Sequence, residues 1–179
     1  MTAQTPDPLY TGRTESADAA VIDIGSNSVR LVLYRLEGRA IWTVFNEKVL
    51  AGLGRDLPRT GRLSEEGVAM ALPALRRFAA VIEGVRPHHV FVAATAAVRE
   101  AEDGLTFCER VAAETGFHIR VLTGEDEARY AARGVLAGHP AAKGVAADMG
   151  GASLELIRLG DGEVGEGITL PLGPFSLAD

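Results

Sequence analysis

Two six-residue segments constrain this chain more than any other feature. Asp23-Ile24-Gly25-Ser26-Asn27-Ser28 and Asp148-Met149-Gly150-Gly151-Ala152-Ser153 share one pattern: Asp-x-Gly, a small residue, any residue, Ser. Each follows an apolar run and precedes another. Glycine and small polar residues between two apolar runs predict a tight turn joining two strands. Its recurrence after a full set of intervening elements predicts an internal duplication.

The stretches around these turns support that reading. Ala19 to Ile24, Val29 to Leu36 and Ala40 to Leu50 predict three strands, with a turn at Gly38-Arg39. Residues 51–62 hold Gly52, Gly54, Pro58 and Gly61 and predict a loop. Ser64 predicts a helix N-cap, followed by apolar residues at helical spacing from Val68 to Ile82; Pro73 inside this pattern predicts a kink or a split. His89 to Ala94 predicts a strand, Thr95 to Glu100 a short helix or loop, and Leu105 to Glu114 a helix stopped by Gly116. Ile119 to Leu122 predicts a strand and Gly124 to Leu136 a helix. Val145 to Asp148, Leu154 to Leu159 and Glu163 to Pro171 predict three more strands, the last two joined at Asp161-Gly162. The middle alternation implies βαβ units and a partly parallel sheet, which binds ligands at the carboxyl ends of its strands.

Composition excludes several classes of function. No apolar run approaches the roughly 20 residues of a spanning helix. Met1 to Asp18 is polar, without the basic start and apolar stretch of a signal peptide, and predicts a disordered leader on a cytoplasmic protein. The formal net charge is −6 and no basic run occurs, which argues against duplex nucleic acid. The single cysteine, Cys108, falls in a helical apolar pattern and predicts a core residue. The histidines lack metal-ligand spacing.

An acidic chain binds phosphate only through local positive groups. Glycine and serine turns let backbone N–H groups approach phosphate oxygens, which makes Gly25, Ser26, Asn27, Ser28, Gly150, Gly151, Ala152 and Ser153 the candidate phosphate contacts. An Asp at a strand end holds a magnesium ion, often through water, which nominates Asp23 and Asp148. The alternative for both is a turn cap. No Gly-x4-Gly-Lys-Ser/Thr loop and no Gly-x-Gly-x-x-Gly after a strand is present.

The two turns, Gly52-Leu53-Gly54, Thr60-Gly61-Arg62-Leu63-Ser64, Ala94-Thr95-Ala96-Ala97-Val98-Arg99, Thr123 to Arg129 and Pro171-Leu172-Gly173 together resemble the exopolyphosphatase/guanosine pentaphosphate phosphohydrolase family of the actin-like ATPase superfamily. The resemblance runs from about Val21 to the end of the chain. It implies an α/β, actin-like (ribonuclease H-like) fold, with a mixed sheet in βββαβαβα order and the first strands of a second copy. The division it implies is a leader at 1–18, domain I at 19–140 and the start of domain II at 141–179. It implies release of terminal phosphate from polyphosphate or guanosine pentaphosphate, with Mg²⁺. Glu127 matches the water-activating glutamate, Arg99 the phosphate-gripping arginine, and Asp148 and Glu155 match acids lining the cleft. Away from the resemblance, the alternative for Arg99 is a solvated helix charge, although its position just past a strand's carboxyl end favours the site; the alternative for Glu155 is a solvent-facing strand residue. Glu125 and Asp126 read as acids favoured in a helix's first turn. Arg30 and Arg55 read as surface charges. Two other functions compete: an actin-like kinase or ATPase, and a non-catalytic alarmone-binding module. Two features depart from the family. Ala152 stands where a third glycine is usual. The second copy lacks helices, so its strands are expected to expose a face or an edge. Pairing as a homodimer, or a shortened chain, would account for that.

Overall fold

The computed structural model describes residues 17–38, 40–175 and 177; Arg39 of the expected turn and the leader up to residue 16 lie outside them. Three strands open the chain: β1 (Ala19–Ile24), β2 (Ser28–Glu37) and β3 (Ala40–Leu50). The helices and strands α1 (Leu57–Thr60), α2 (Glu65–Val85), β4 (His89–Ala94), α3 (Ala96–Glu100), α4 (Gly104–Thr115), β5 (Arg120–Val121) and α5 (Gly124–Gly138) follow. The chain ends in β6 (Gly144–Met149), β7 (Leu154–Gly160) and β8 (Glu163–Leu170). The first sheet has strand order β3-β2-β1-β4-β5 and the second β6-β7-β8. β1 pairs antiparallel with β2 and parallel with β4, giving the mixed sheet expected.

Alternation along β1 sends Ala20, Ile22 and Ile24 to one face, all fully buried. Val29, Leu31 and Leu33 of β2 join them. Helix α2 covers this face with Ala71, Leu72, Leu75 and Phe78, spaced at three and four residues so that they form one stripe. Helix α4 adds Phe107 and Val111. Ser64 caps α2: its hydroxyl accepts from the Gly67 N–H at 3.4 Å.

One local reading changes and two are narrowed. Residues 57–60 form a one-turn helix inside the expected loop, with Pro58 in its first turn and Gly61 as its left-handed cap. Residues 96–100 are helical. Pro73 does not split α2. It sits on the exposed side of the helix, as does Ala69, whose carbonyl loses its partner to the proline.

The last three strands are not bare. Helix α5 packs on the second sheet, burying Ala128 and Ala132 against Ile157 and Leu159. The other face carries Val145, Met149 and Ile168, which are 69%, 62% and 56% exposed, so the expected open surface is confined to that side.

Gly67 fixes how α2 approaches the site. A Cβ there would lie 2.9 Å from the Gly52 carbonyl oxygen and from the Leu53 Cα, both backbone atoms. Gly84, in the same helix, faces open space. The same substitution should therefore act in opposite directions. Gly67→Ala is expected to lower stability by about 1–3 kcal/mol through overpacking. Gly84→Ala is expected to raise it by about 0.4–1 kcal/mol by restricting the unfolded chain. Urea unfolding of both variants checks the pair.

Candidate active site

The two Asp-Gly turns have the same backbone geometry. The Gly25 N–H donates to the Ser28 carbonyl at 2.9 Å, and the Gly150 N–H donates to the Ser153 carbonyl at 2.9 Å. Asp23 sits opposite Arg30 across β1 and β2, and Asp148 opposite Glu155 across β6 and β7, so each aspartate pairs with the residue seven further on. The repeat seen in sequence is thus a repeat of hairpin register.

These hairpins meet at their turns. A Cβ on Gly151 would lie 2.9 Å from the Ser26 Cβ. The turn after β3 braces the first hairpin, with the Gly52 and Gly54 N–H groups donating to the Asn27 and Ser26 carbonyls at 2.9 and 2.8 Å. Between the turns and α5 lies a cleft of about 480 Å³. Asp23, Gly25, Ser26, Asn27, Ser28, Glu127, Asp148, Gly150, Gly151, Ser153 and Glu155 line it.

Two expected site residues lie elsewhere. Ala152 lines a separate pocket with Gly54, Leu57, Pro171 and Phe175. Its φ is not positive, so the missing glycine imposes no backbone strain. Arg99 does not line the cleft. Its guanidinium ion-pairs with Glu127, donates to the Leu122 carbonyl at 2.8 Å and reaches Glu100 at 3.3 Å. It braces Glu127 from behind. Of the two weaker arginine candidates, Arg30 donates to Asn46 at 2.8 Å and Arg55 pairs with Glu66 at 3.1 Å.

Glu127 reaches the cleft because Thr123 caps α5, accepting from the Asp126 N–H at 3.1 Å. Gly124, at the start of the helix, lies against Thr169 of β8. Glu125 and Asp126 stay outside the cleft; Asp126 pairs with Arg120 and Arg129. Thr95 and Met149 of the quoted motifs also line it, as do Lys48, Leu122, Tyr130 and Pro174, which were not singled out from sequence. Tyr130 was within reach, being three residues past Glu127 and so on the same helix face.

The cleft is electrostatically unfavourable for its own carboxylates. Burial raises the pKa of Glu127; the hydrogen bond and charge of Arg99 oppose this, and Glu155 and Asp23 add to it. Asp23 keeps open surface toward the cleft, yet protein crowds its carboxyl and raises its pKa. Arg30 and Lys48 pull it down, and Asp148 pushes it further up. Burial also raises Glu155, against a hydrogen bond from Ser153, with the Asp148 charge adding to the rise. Glu155 is 3% exposed and its Oε1 has no hydrogen-bond partner among the described residues.

Two small-residue turns that meet beside a cleft between two sheets define a mixed α/β protein with a repeated hairpin. The chain belongs to the Ppx/GppA phosphatase family, whose model matches residues 32–179. It is similar to the crystal structure of the Aquifex aeolicus Ppx/GppA family member, at 32% identity and TM-score 0.77, over 87% of this chain and 51% of that one. An exopolyphosphatase from Cytophaga hutchinsonii is 28% identical with TM-score 0.83, over 89% of this chain and 52% of that one. The ethanolamine utilization protein EutJ from Carboxydothermus hydrogenoformans, 21% identical with TM-score 0.54 over 86% of this chain and 52% of that one, shares the fold. The chain thus spans about half the length of these relatives.

Replacing Glu155 by an apolar side chain of similar shape removes a buried carboxyl that has one unpartnered oxygen, with loss of the hydrogen bond from Ser153. Glu155→Met is therefore expected to stabilise the protein by about 1–3 kcal/mol near pH 8. A carboxyl whose folded pKa is raised binds protons more readily folded than unfolded. Its stabilisation is present below the unfolded value of 4.5 and is lost as pH rises through the folded one. The gain in Glu155→Met should accordingly shrink as pH falls toward about 4. Melting temperatures of both proteins across that range, without added metal, check it.

Proposed function

We propose that this protein is a phosphohydrolase that releases the terminal phosphate of inorganic polyphosphate or guanosine pentaphosphate. The carrying observation is the single cleft that gathers both Asp-Gly turns and the Glu127 carboxylate. Membership of the Ppx/GppA phosphatase family and likeness to an exopolyphosphatase support the reading.

The terminal phosphate lies against the Gly25–Ser28 and Gly150–Ser153 turns, where backbone N–H groups and serine hydroxyls meet its oxygens. Glu127 orients the attacking water and takes its proton as the new P–O bond forms and the bridging P–O bond breaks. Burial makes Glu127 a stronger base than a solvated carboxylate. Arg99 orients that base, since its Nη1 and Nη2 groups donate to Glu127, Leu122 and Glu100.

Magnesium fits these residues as a partly hydrated ion. Among the described residues no three of His, Cys, Asp and Glu cluster closely enough to cage a metal. Mg²⁺, however, is usually held by one or two carboxylates with water and substrate oxygens completing its shell. Asp148 and Asp23 suit that role, since the charge of one raises the pKa of the other and a cation would relieve the repulsion. When bound, the ion would neutralise charge on the phosphate oxygens.

Phosphate release from polyphosphate and from guanosine pentaphosphate, each with Mg²⁺, tests the proposal. Glu127→Gln should lower kcat by about 10²- to 10⁴-fold while circular dichroism shows an unchanged fold. Wild-type protein that releases phosphate from neither substrate would sink it. So would a Glu127→Gln variant as fast as wild type.

A further inference from the structure

The cleft that must receive a polyanion is lined by four carboxylates, Asp23, Glu127, Asp148 and Glu155, and by one basic side chain, Lys48. Lys48 owes that position to a β-bulge. The β2–β3 hairpin starts with Glu37 opposite Ala40, a register that continued unchanged would set Arg30 opposite Glu47. The register shifts between Leu33 and Tyr34, and Arg30 instead pairs with Lys48. A one-residue shift exchanges the faces of a strand. Glu47 accordingly turns to the helix side, where Arg77 of α2 donates to it, and Lys48 turns to the cleft.

The repeated hairpins sharpen the point. In the first copy the row across the strands is Asp23, Arg30, Lys48; in the second it is Asp148, Glu155, Thr169. The same fold positions carry cations on one side of the cleft and an acid and a neutral residue on the other. Arg30 donates to Asn46, whereas Lys48 makes no ion pair among the described residues. Lys48 stands two strands from Asp23, roughly 10 Å at ordinary strand spacing, on the side of the sheet away from β5.

We propose that Lys48 forms a second phosphate subsite, which holds a phosphate of the retained chain while the turns hold the terminal one. This rests on the phosphohydrolase reading and adds to it the direction in which the substrate runs: from Glu127, past Asp23, toward the β3 edge. The ligand class is a linear chain of phosphates, and a lone orthophosphate is too short to use the subsite. The Asp23 carboxyl already responds to the Lys48 charge, so the ammonium acts within the cleft.

Binding of medium-chain polyphosphate with Mg²⁺, followed by calorimetry alongside phosphate release, tests this on the whole protein. Lys48 is exposed, so Lys48→Met should fold. It is expected to weaken binding and raise KM by about 10- to 100-fold, the worth of one charge-assisted contact, with kcat within about twofold. The slope of log affinity against log salt should fall by about one, and Lys48→Arg should restore most of both. Orthophosphate binding should not change. Unchanged polyphosphate affinity and salt slope in Lys48→Met would overturn the subsite, as would wild-type protein that does not bind polyphosphate. Binding that depends on Lys48 without phosphate release would leave the subsite standing and remove the hydrolase reading.

Discussion

The contact between Ser26 and Gly151 is the constraint on which the site depends. With glycine at 151, the second turn comes so close that an added Cβ would meet the Ser26 Cβ at 2.9 Å and the Phe175 ring at 3.1 Å. Close approach of the turns brings the Asp23 and Asp148 strand ends within reach of each other's charge. Small residues are needed here for reasons of space. Their chemistry follows from that, because a turn without bulky side chains also leaves its amides open to an anion.

That approach has an electrostatic cost. Three of the cleft's carboxyls have their pKa raised, each chiefly by burial and each further by a neighbouring acid. A structure selected for stability alone would not gather them. An unpartnered oxygen on Glu155, in a residue 3% exposed, is the kind of exception that a charged ligand would complete. Arg99 moderates the clash by pairing with Glu127, and its charge also lowers the pKa of Glu155. The remaining repulsion is one that a bound cation would relieve.

Much of the fold was legible because its signals are local. The apolar alternation of β1, the Ser64 cap and the stripe on α2 each sit within a few turns of chain. The repeated Asp-Gly turns were legible as a pattern, and their matching registers show why the pattern recurs. What escaped was set by geometry between elements. The four-residue helix at 57–60 is too short to show periodicity. The role of Arg99 as a brace depends on α5 returning to within reach of α3, which no spacing in the sequence encodes. The expectation of uncovered strands at the end failed on one face because α5 serves the second sheet.

Lys48 shows the limit most sharply. Counting back from the hairpin turn assigns the cleft face to Glu47, the wrong charge for a phosphate site. One extra residue in β3 reverses the assignment and, with it, the sign of the charge at that edge. A bulge leaves little trace in composition, since it changes no residue type and breaks no apolar run. Yet it decides whether an anion approaching from the β3 side meets repulsion or attraction. The asymmetry between the two copies then has a physical reading. The first hairpin sets Arg30 and Lys48 beside Asp23 and the second sets Glu155 and Thr169 beside Asp148, so a duplicated backbone yields a cleft whose charge differs from one side to the other.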